Sequence, residues 1–290
     1  MNRLSKSNIE YLDYSWSFAS GCKHGETGMC PVGEFCWARK TTERFKAAYP
    51  KGFEPTIYPE ALLSPLLLKK PARIGVCFMG DLFGDWNDPE MEVNPSDEGP
   101  IPAGESLSDV VFKVLDNCPQ HTFIFLTKAP WNLPKWGPFP DNAWMGVSAC
   151  DPKTAEEAGF WLYDLKARNK WISFEPLLER MAPHVTDYFV NEGLACIKLL
   201  VIGALTGTRK DMEAVKERWP ALTLLPYRNQ WTLQPPIEWV REIVEAADKA
   251  GAKVWIKNNL TPGLAPPGGG LFPKWARRAG PYLRQALPGE

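Results

Sequence analysis

The stretch RIGVCFMGD, residues 73–81, is a short apolar run that ends in an acid. A run of this length without polar alternation suits a strand buried on both faces, and such strands belong to parallel sheets covered by helices. The same pattern recurs on either side of it. HTFIFLTK (121–128), AWMGVSACD (143–151), KWISFEP (170–176), IKLLVIGAL (197–205) and KVWIKNNL (253–260) read alike, and YSWSFASG (14–21) can supply the first strand. LTLLPY (222–227) reads as a further strand.

Helical stretches lie between these runs. In SLSDVVFKVLDNCP (106–119), Val110, Val111, Val114 and Leu115 share one side, with Ser106 or Ser108 as the cap. DPKTAEEAGFWLYDLKA (151–167) reads as a capped helix, KDMEAVKERW (210–219) as another, and PPIEWVREIVEAADKAG (235–251) as a helix opened by Pro236 and closed by Gly251. Roughly seven or eight strand–helix units predict a (β/α) barrel, complete or partial and TIM-like, with parallel strands and outer helices. An open doubly wound sheet is the alternative.

The chain has 290 residues, 44% of them hydrophobic and 23% charged, enough for a large core in one domain. We read residues 1–260 as that domain and 261–290 as a Pro/Gly-rich extension. Residues 84–105 form an acidic, Pro-rich insertion, and no Lys or Arg occurs between Ile74 and Phe112. A formal charge of −1 argues against a protein that holds DNA through a global basic field, and leaves room for a local patch. No run approaches membrane-spanning length, and MNRLSKSNIEYLDY lacks the apolar core of a secretory signal. These features predict a cytoplasmic protein with no membrane partner.

In a reducing compartment, clustered cysteines hold metal or do chemistry more often than they form disulfides. GCKHGETGMCPVGEFCWARK (21–40) carries Cys22, Cys30 and Cys36 on a loop bent by Gly21, Gly25, Gly28, Pro31 and Gly33. Three roles fit them: unligated or redox-active thiols, a zinc site, or an iron–sulfur cluster with one iron open. Zinc would take His24 as fourth ligand, but His24 stands only two residues from Cys22, an awkward span for a tetrahedral chelate. Cys77, Cys118, Cys150 and Cys196 lie scattered in or beside apolar segments and read mainly as core residues.

In parallel α/β proteins, functional groups gather at the carboxyl ends of strands. Those ends here carry Cys22, then Asp81, then Thr127 and Lys128, then Ser148 and Asp151, then Glu175, then Thr206, and finally Lys257, Asn258 and Asn259. Other motifs are weak or absent. GALTGT (203–208) is not a P-loop, three histidines exclude a His-rich metal site, and His121 and His184 read as structural.

YSWSFASGC, FCWAR, GVCFMGDLF, PQHTFIFLTKAP, WMGVSACD, WISFEPLLE, LLVIGALTG and VWIKNNL, in this order from residue 14 to 260, resemble an uncharacterised, phage-associated family of three-cysteine proteins related to radical SAM enzymes. The aromatic-Ala pair after the last cysteine is kept as Trp37-Ala38. The cysteine spacing departs from the family pattern: five residues separate Cys30 from Cys36, where the family has two.

The resemblance implies a [4Fe–4S] cluster on Cys22, Cys30 and Cys36, with its open iron taking the amino and carboxylate groups of S-adenosylmethionine. It implies one-electron cleavage of the sulfonium to a 5′-deoxyadenosyl radical that abstracts a substrate hydrogen, and a reductant such as flavodoxin or ferredoxin. It assigns Gly80 and Asp81 to the cosubstrate's amino group, Ser148 to its ribose or carboxylate, and the Gly203–Thr206 turn to its adenine. Glu175 would bind ribose hydroxyls or act on substrate, while Lys128 and Lys257 would hold a carboxylate or phosphate.

Structural roles compete with these: Lys128 pairing with Glu175, and Asp81 capping the turn after it. The phage setting implies nucleic acid or a nucleotide as substrate, with Lys274, Arg277, Arg278 and Arg284 beside Trp275 and Tyr282 as a small basic-aromatic cluster. Two other functions stay open: a non-catalytic iron–sulfur or zinc barrel that binds nucleic acid or a partner, and a metal-free hydrolase using Asp81, Glu175 and Lys257.

Overall fold

The computed structural model describes residues 4–93, 100–181, 196–265, 271–277 and 283–286. His184, Arg278, Tyr282 and residues 94–99 of the acidic insertion lie outside them. The strands are β1 (Leu4–Lys6), β2 (Tyr14–Trp16), β3 (Ala19–Ser20), β4 (Thr56–Ile57), β5 (Arg73–Val76), β6 (Thr122–Thr127), β7 (Ala143–Ser148), β8 (Asn169–Phe174), β9 (Ile197–Ile202), β10 (Leu205–Gly207), β11 (Thr223–Tyr227), β12 (Gln230–Gln234) and β13 (Lys253–Ile256).

Eight of them form the main sheet, in the order β1-β2-β5-β6-β7-β8-β9-β13. Strand number rises steadily along that order. A doubly wound sheet reverses direction at its switch point, so this sheet is singly wound, as in a barrel. The order ends at β1 and β13, and the sheet is open. The fold is α/β with a mostly parallel central sheet.

The chain divides into two compact units, Met1–Gly146 with Leu165–Asn169, and Val147–Asp164 with Lys170–Glu290. In the first, β2, β5 and β6 run parallel, with Tyr14 beside Ile74 and Ile74 beside Phe123, while β1 joins β2 antiparallel. The expected first strand, YSWSFASG, is split. Tyr14–Trp16 stays in the main sheet, and Ala19–Ser20 turns away to pair antiparallel with β4. Trp16 explains the break, because its buried ring packs on Phe18 and Phe123 with centroids 4.6 and 5.8 Å away, and its Nε1 donates to the Ala61 carbonyl at 2.9 Å. The helix Leu107–Asp116 buries Val110, Val111, Val114 and Leu115 as its spacing predicts. Ser106 caps it, accepting from the Asp109 amide at 3.2 Å.

In the second unit, β8, β9 and β13 run parallel. The helix Pro152–Tyr163 begins with a reciprocal box: Asp151 accepts from the Thr154 amide at 2.8 Å, and Thr154 Oγ1 accepts from the Asp151 amide at 3.2 Å. The helix Ile237–Ala250 starts one residue after Pro236 and ends on Gly251, whose φ of 72° takes the left-handed cap that glycine favours. LTLLPY does not join the main rhythm. As β11 it belongs to a separate antiparallel sheet, β10-β12-β11, because only Arg228 and Asn229 separate β11 from β12, a hairpin connection. Pro226 is tolerated because β11 is an edge strand.

Part of the C-terminal extension is structural as well. The Ile256 amide donates to the Arg284 carbonyl at 2.8 Å and the Ala286 amide to Val254 at 3.1 Å, so these residues cover the edge of β13. No helix among the described residues is long and apolar enough to cross a membrane.

Candidate cofactor site

The cysteine loop leaves β3 through Gly21, whose φ is +87°. The Gly21 amide donates to Met79 at 3.1 Å and the residue bridges to Gly80. A Cβ on Gly80 would lie 2.3 Å from the Gly21 carbonyl oxygen, so Gly80 is the glycine that lets the cysteine loop lie against the end of β5. Farther along, the Cys30 amide donates to the His24 carbonyl at 3.0 Å and the Cys36 amide to Gly33 at 3.2 Å. The loop doubles back so closely that a Cβ on Gly33 would meet Gly25 Cα at 2.4 Å. Cys36 caps the helix Trp37–Arg44.

All three cysteines are free and half-buried. The Cys22 thiol is pushed up to about 12, first by burial and then by the charges of Asp81 and Cys30, against the opposing His24 amide and Lys128 ammonium. A buried thiol among negative neighbours gives up its proton when a cation takes its place, so this donor set fits a thiolate-bound metal or cluster. Among the described residues, no three His, Cys, Asp or Glu side chains already stand close enough to hold one metal ion. Binding therefore requires this loop to tighten.

Beneath the loop lies Asp81, only 6% exposed. Its carboxylate takes Thr127 Oγ1 at 2.8 and 2.9 Å, the Lys128 amide at 2.8 Å and the Phe83 amide at 3.1 Å. His24 Nε2 sits 2.8 Å from Oδ2. The Phe83 bond is the turn cap expected of Asp81, and the rest make it a hub for β5, β6 and the cysteine loop. With both oxygens engaged, Asp81 has little capacity left for a cosubstrate amino group. His24 is the residue sequence reasoning undervalued. Its distance from Cys22 was legible, whereas its partner lies 57 residues away.

In the second unit, Glu175 follows β8 and Lys257 follows β13, and their side chains form an ion pair, 25% and 14% exposed. The partner of Glu175 here is thus Lys257 rather than the expected Lys128, whose amide serves Asp81. Gly203 makes the pair possible, since a Cβ there would lie 3.0 Å from both Glu175 Cδ and Lys257 Cδ. Ser148 ends β7 and donates to the Glu175 carbonyl at 3.4 Å. Thr206 lies in β10, paired with Thr232. Asn259 clamps Ala204, accepting from its amide at 3.1 Å and donating to its carbonyl at 2.7 Å. Arg284, expected in a basic patch, is instead bound to Asp248 by two hydrogen bonds. His121 Nε2 lies 2.9 Å from the Leu68 carbonyl, as a structural histidine should.

Fold and site together define an α/β protein with three thiols on a loop seated at the end of a parallel strand. The chain belongs to the family described as "Protein of unknown function (DUF5131)", whose model matches residues 6–222. No curated protein matches its sequence. Among solved structures it is similar to a tyrosine-to-phenylalanine mutant of spore photoproduct lyase, with 9% identity, a TM-score of 0.51, and coverage of 87% of this chain and 78% of that one. A cysteine-to-alanine mutant of the same lyase gives 10% identity, a TM-score of 0.49, and coverage of 88% and 79%. At these identities the first likeness shows a shared fold.

Proposed function

We propose that this protein is a radical-SAM-type enzyme in which Cys22, Cys30 and Cys36 hold a [4Fe–4S] cluster and S-adenosylmethionine is the cosubstrate. The observation that carries the reading is the cysteine loop, its three thiols pinned by Gly21 and Gly80 against the end of β5. The fold shared with spore photoproduct lyase supports it. When bound, the cluster and cosubstrate supply a carbon-centred radical that removes a substrate hydrogen.

This chain's residues bind and orient. Asp81 fixes His24 and the ends of β5 and β6, and the Glu175–Lys257 pair offers one anionic and one cationic group for ribose hydroxyls, a carboxylate or a phosphate. Ser148 positions the Glu175 main chain, and Gly203 leaves the pair accessible. A phage setting and a nucleic-acid or nucleotide substrate belong to the proposal, as does a flavodoxin- or ferredoxin-type reductant. Of the basic-aromatic cluster, Lys274, Trp275 and Arg277 remain as support, since Arg284 is engaged by Asp248.

The test is anaerobic reconstitution with iron and sulfide, then dithionite and S-adenosylmethionine. Visible sulfur-to-iron absorption together with 5′-deoxyadenosine is the expected result, and both should vanish in Cys22→Ala, Cys30→Ala and Cys36→Ala. Stoichiometric zinc with no iron uptake would leave the non-catalytic barrel. Full activity in all three cysteine variants would favour the metal-free hydrolase, which the saturated carboxylate of Asp81 already argues against.

A further inference from the structure

His24 is 1% exposed, and its Nδ1 has no hydrogen-bond partner. A buried polar atom left unpaired costs about 1–3 kcal/mol, so such an atom calls for an explanation. The other ring nitrogen is accounted for, with Nε2 2.8 Å from Asp81 Oδ2. An ionised carboxylate only accepts, so the proton of this bond sits on Nε2, which leaves Nδ1 with a lone pair. That is the arrangement of metal-binding histidines, in which one nitrogen donates to a carboxylate and the other ligates.

The position of Nδ1 agrees. Nε2 is the ring's far nitrogen and reaches down to Asp81, while Nδ1 is bonded next to Cβ and so stays at the level of the loop. The loop's sulfurs are nearby: Cys22 Sγ accepts from the His24 amide at 3.4 Å, and the Cys30 amide donates to the His24 carbonyl at 3.0 Å. The turn that makes the Cys22 contact folds the thiol back onto His24 and closes the span that looks awkward in sequence. Trp86 packs against the ring edge-on, with centroids 4.9 Å apart, and shields it from water.

We propose that His24 is a fourth protein donor of the cysteine-loop centre, coordinating through Nδ1 and oriented by Asp81. This rests on the reading that the cysteines hold a metal-bearing group, and it adds that the position left open by three thiolates is filled by His24 until S-adenosylmethionine takes it. Asp81 is then a positioning residue. Thr127, the Lys128 amide and the Phe83 amide hold the carboxylate that holds the imidazole.

The test uses the full chain, reduced and metal-free, titrated anaerobically with Co2+, each variant first shown to be folded by circular dichroism. Two substitutions separate the nitrogens. Asn places a polar atom near the Nδ1 position and loses Asp81, while Gln reaches the Nε2 position and loses Nδ1. Wild type should show thiolate-to-cobalt charge transfer with tetrahedral ligand-field bands. His24→Gln should shift the ligand-field bands and weaken binding about 10-fold or more, with His24→Asn closer to wild type. Asp81→Asn should keep the bands and lose about 10- to 100-fold in affinity, the usual effect of a lost outer partner.

The reverse order, with Gln intact and Asn impaired, would mean that His24 only props the loop, and would overturn the proposal. Charge transfer that is identical in all four proteins would remove His24 while leaving the cysteine centre standing. No charge transfer in wild type would sink the cysteine centre and the proposal with it.

Discussion

Asp81 and Glu175 both follow strands of the main sheet, one in each unit. Asp81 is 6% exposed and held by two backbone amides, a hydroxyl and an imidazole. The Glu175 side chain is 25% exposed and meets one flexible ammonium, Lys257. Backbone amides cannot be withdrawn without unfolding the turns that carry them, so Asp81 is fixed. A partly wet ion pair can open and trade its partner for a ligand group at small cost, since water compensates both charges. The first acid is built to hold position, and the second to exchange.

The sharpest way to break this contrast is at Asp81. Asp81→Ala strands His24 Nε2, the Thr127 hydroxyl and the Lys128 and Phe83 amides without an acceptor, and should cost about 3–5 kcal/mol in urea unfolding. Asp81→Asn keeps the shape but turns an amide NH2 toward donors, and should cost about 2–3 kcal/mol. A loss below about 1 kcal/mol for Asp81→Asn would mean that the hub is not the anchor described here.

Two glycines carry the contrast into packing. At Gly80 an added Cβ meets backbone, the Gly21 carbonyl oxygen at 2.3 Å and amide nitrogen at 2.8 Å, and neither can move without the cysteine loop. At Gly203 it meets only side-chain carbons of Glu175 and Lys257 at 3.0 Å. Gly80→Ala should therefore cost about 3 kcal/mol and weaken metal uptake, whereas Gly203→Ala should cost about 1 kcal/mol and leave metal uptake unchanged. Thermal unfolding and metal titration of the two variants decide this, and equal effects would erase the distinction.

Much of the fold was legible because its signals are local. The apolar runs at 73–81, 121–128, 143–151, 170–176 and 197–205 each hold a strand of the main sheet, and the caps at Ser106 and Asp151 sit where their side chains can reach the first turn. What was not legible depends on pairing across the chain. QWTLQ alternates polar and apolar residues and gains its place as β12 only by lying between β10 and β11. YSWSFASG reads as one strand because nothing local shows that Ala19–Ser20 will pair with Thr56–Ile57. The site follows the same rule. The cysteines and strand-end acids stand out by type and position, but the choice of Lys257 over Lys128 for Glu175, of Gly21 as the neighbour of Gly80, and of Asp81 for His24 belongs to tertiary geometry.

The Glu175–Lys257 pair sharpens the comparison from the other side. Lys257→Met leaves Glu175 partly buried and uncompensated, and should cost about 2 kcal/mol, less than a fully buried pair because water still reaches the carboxylate. Combining it with Glu175→Gln should recover most of that, giving a coupling energy of about 1–2 kcal/mol in a double-mutant cycle. No recovery would show that the two side chains act separately. In the proposed enzyme the same pair of variants should weaken cosubstrate or substrate binding while leaving metal content intact.

The smallest effect is expected where an acid is most exposed. Asp13, with 39% of its side chain exposed, accepts from Arg73 Nη2 at 2.7 Å, Nε at 3.0 Å and the Arg73 amide at 2.8 Å. The Arg73 side-chain bonds hold its carboxyl below the ordinary value of 3.8, against a smaller opposing effect of burial. Because the folded value is depressed, the unfolded chain binds the proton first as pH falls. The stabilisation is complete above the unfolded value and fades as pH drops through the folded one. Solvent screening keeps it below about 1 kcal/mol. Asp13→Asn should therefore change stability little at neutral pH and flatten part of the acid limb below about pH 4. The same substitution at Asp81 should lower stability across the whole neutral range. If Asp13→Asn were instead as costly at neutral pH as Asp81→Asn, exposure would not be what separates an acid that anchors from one that merely pairs.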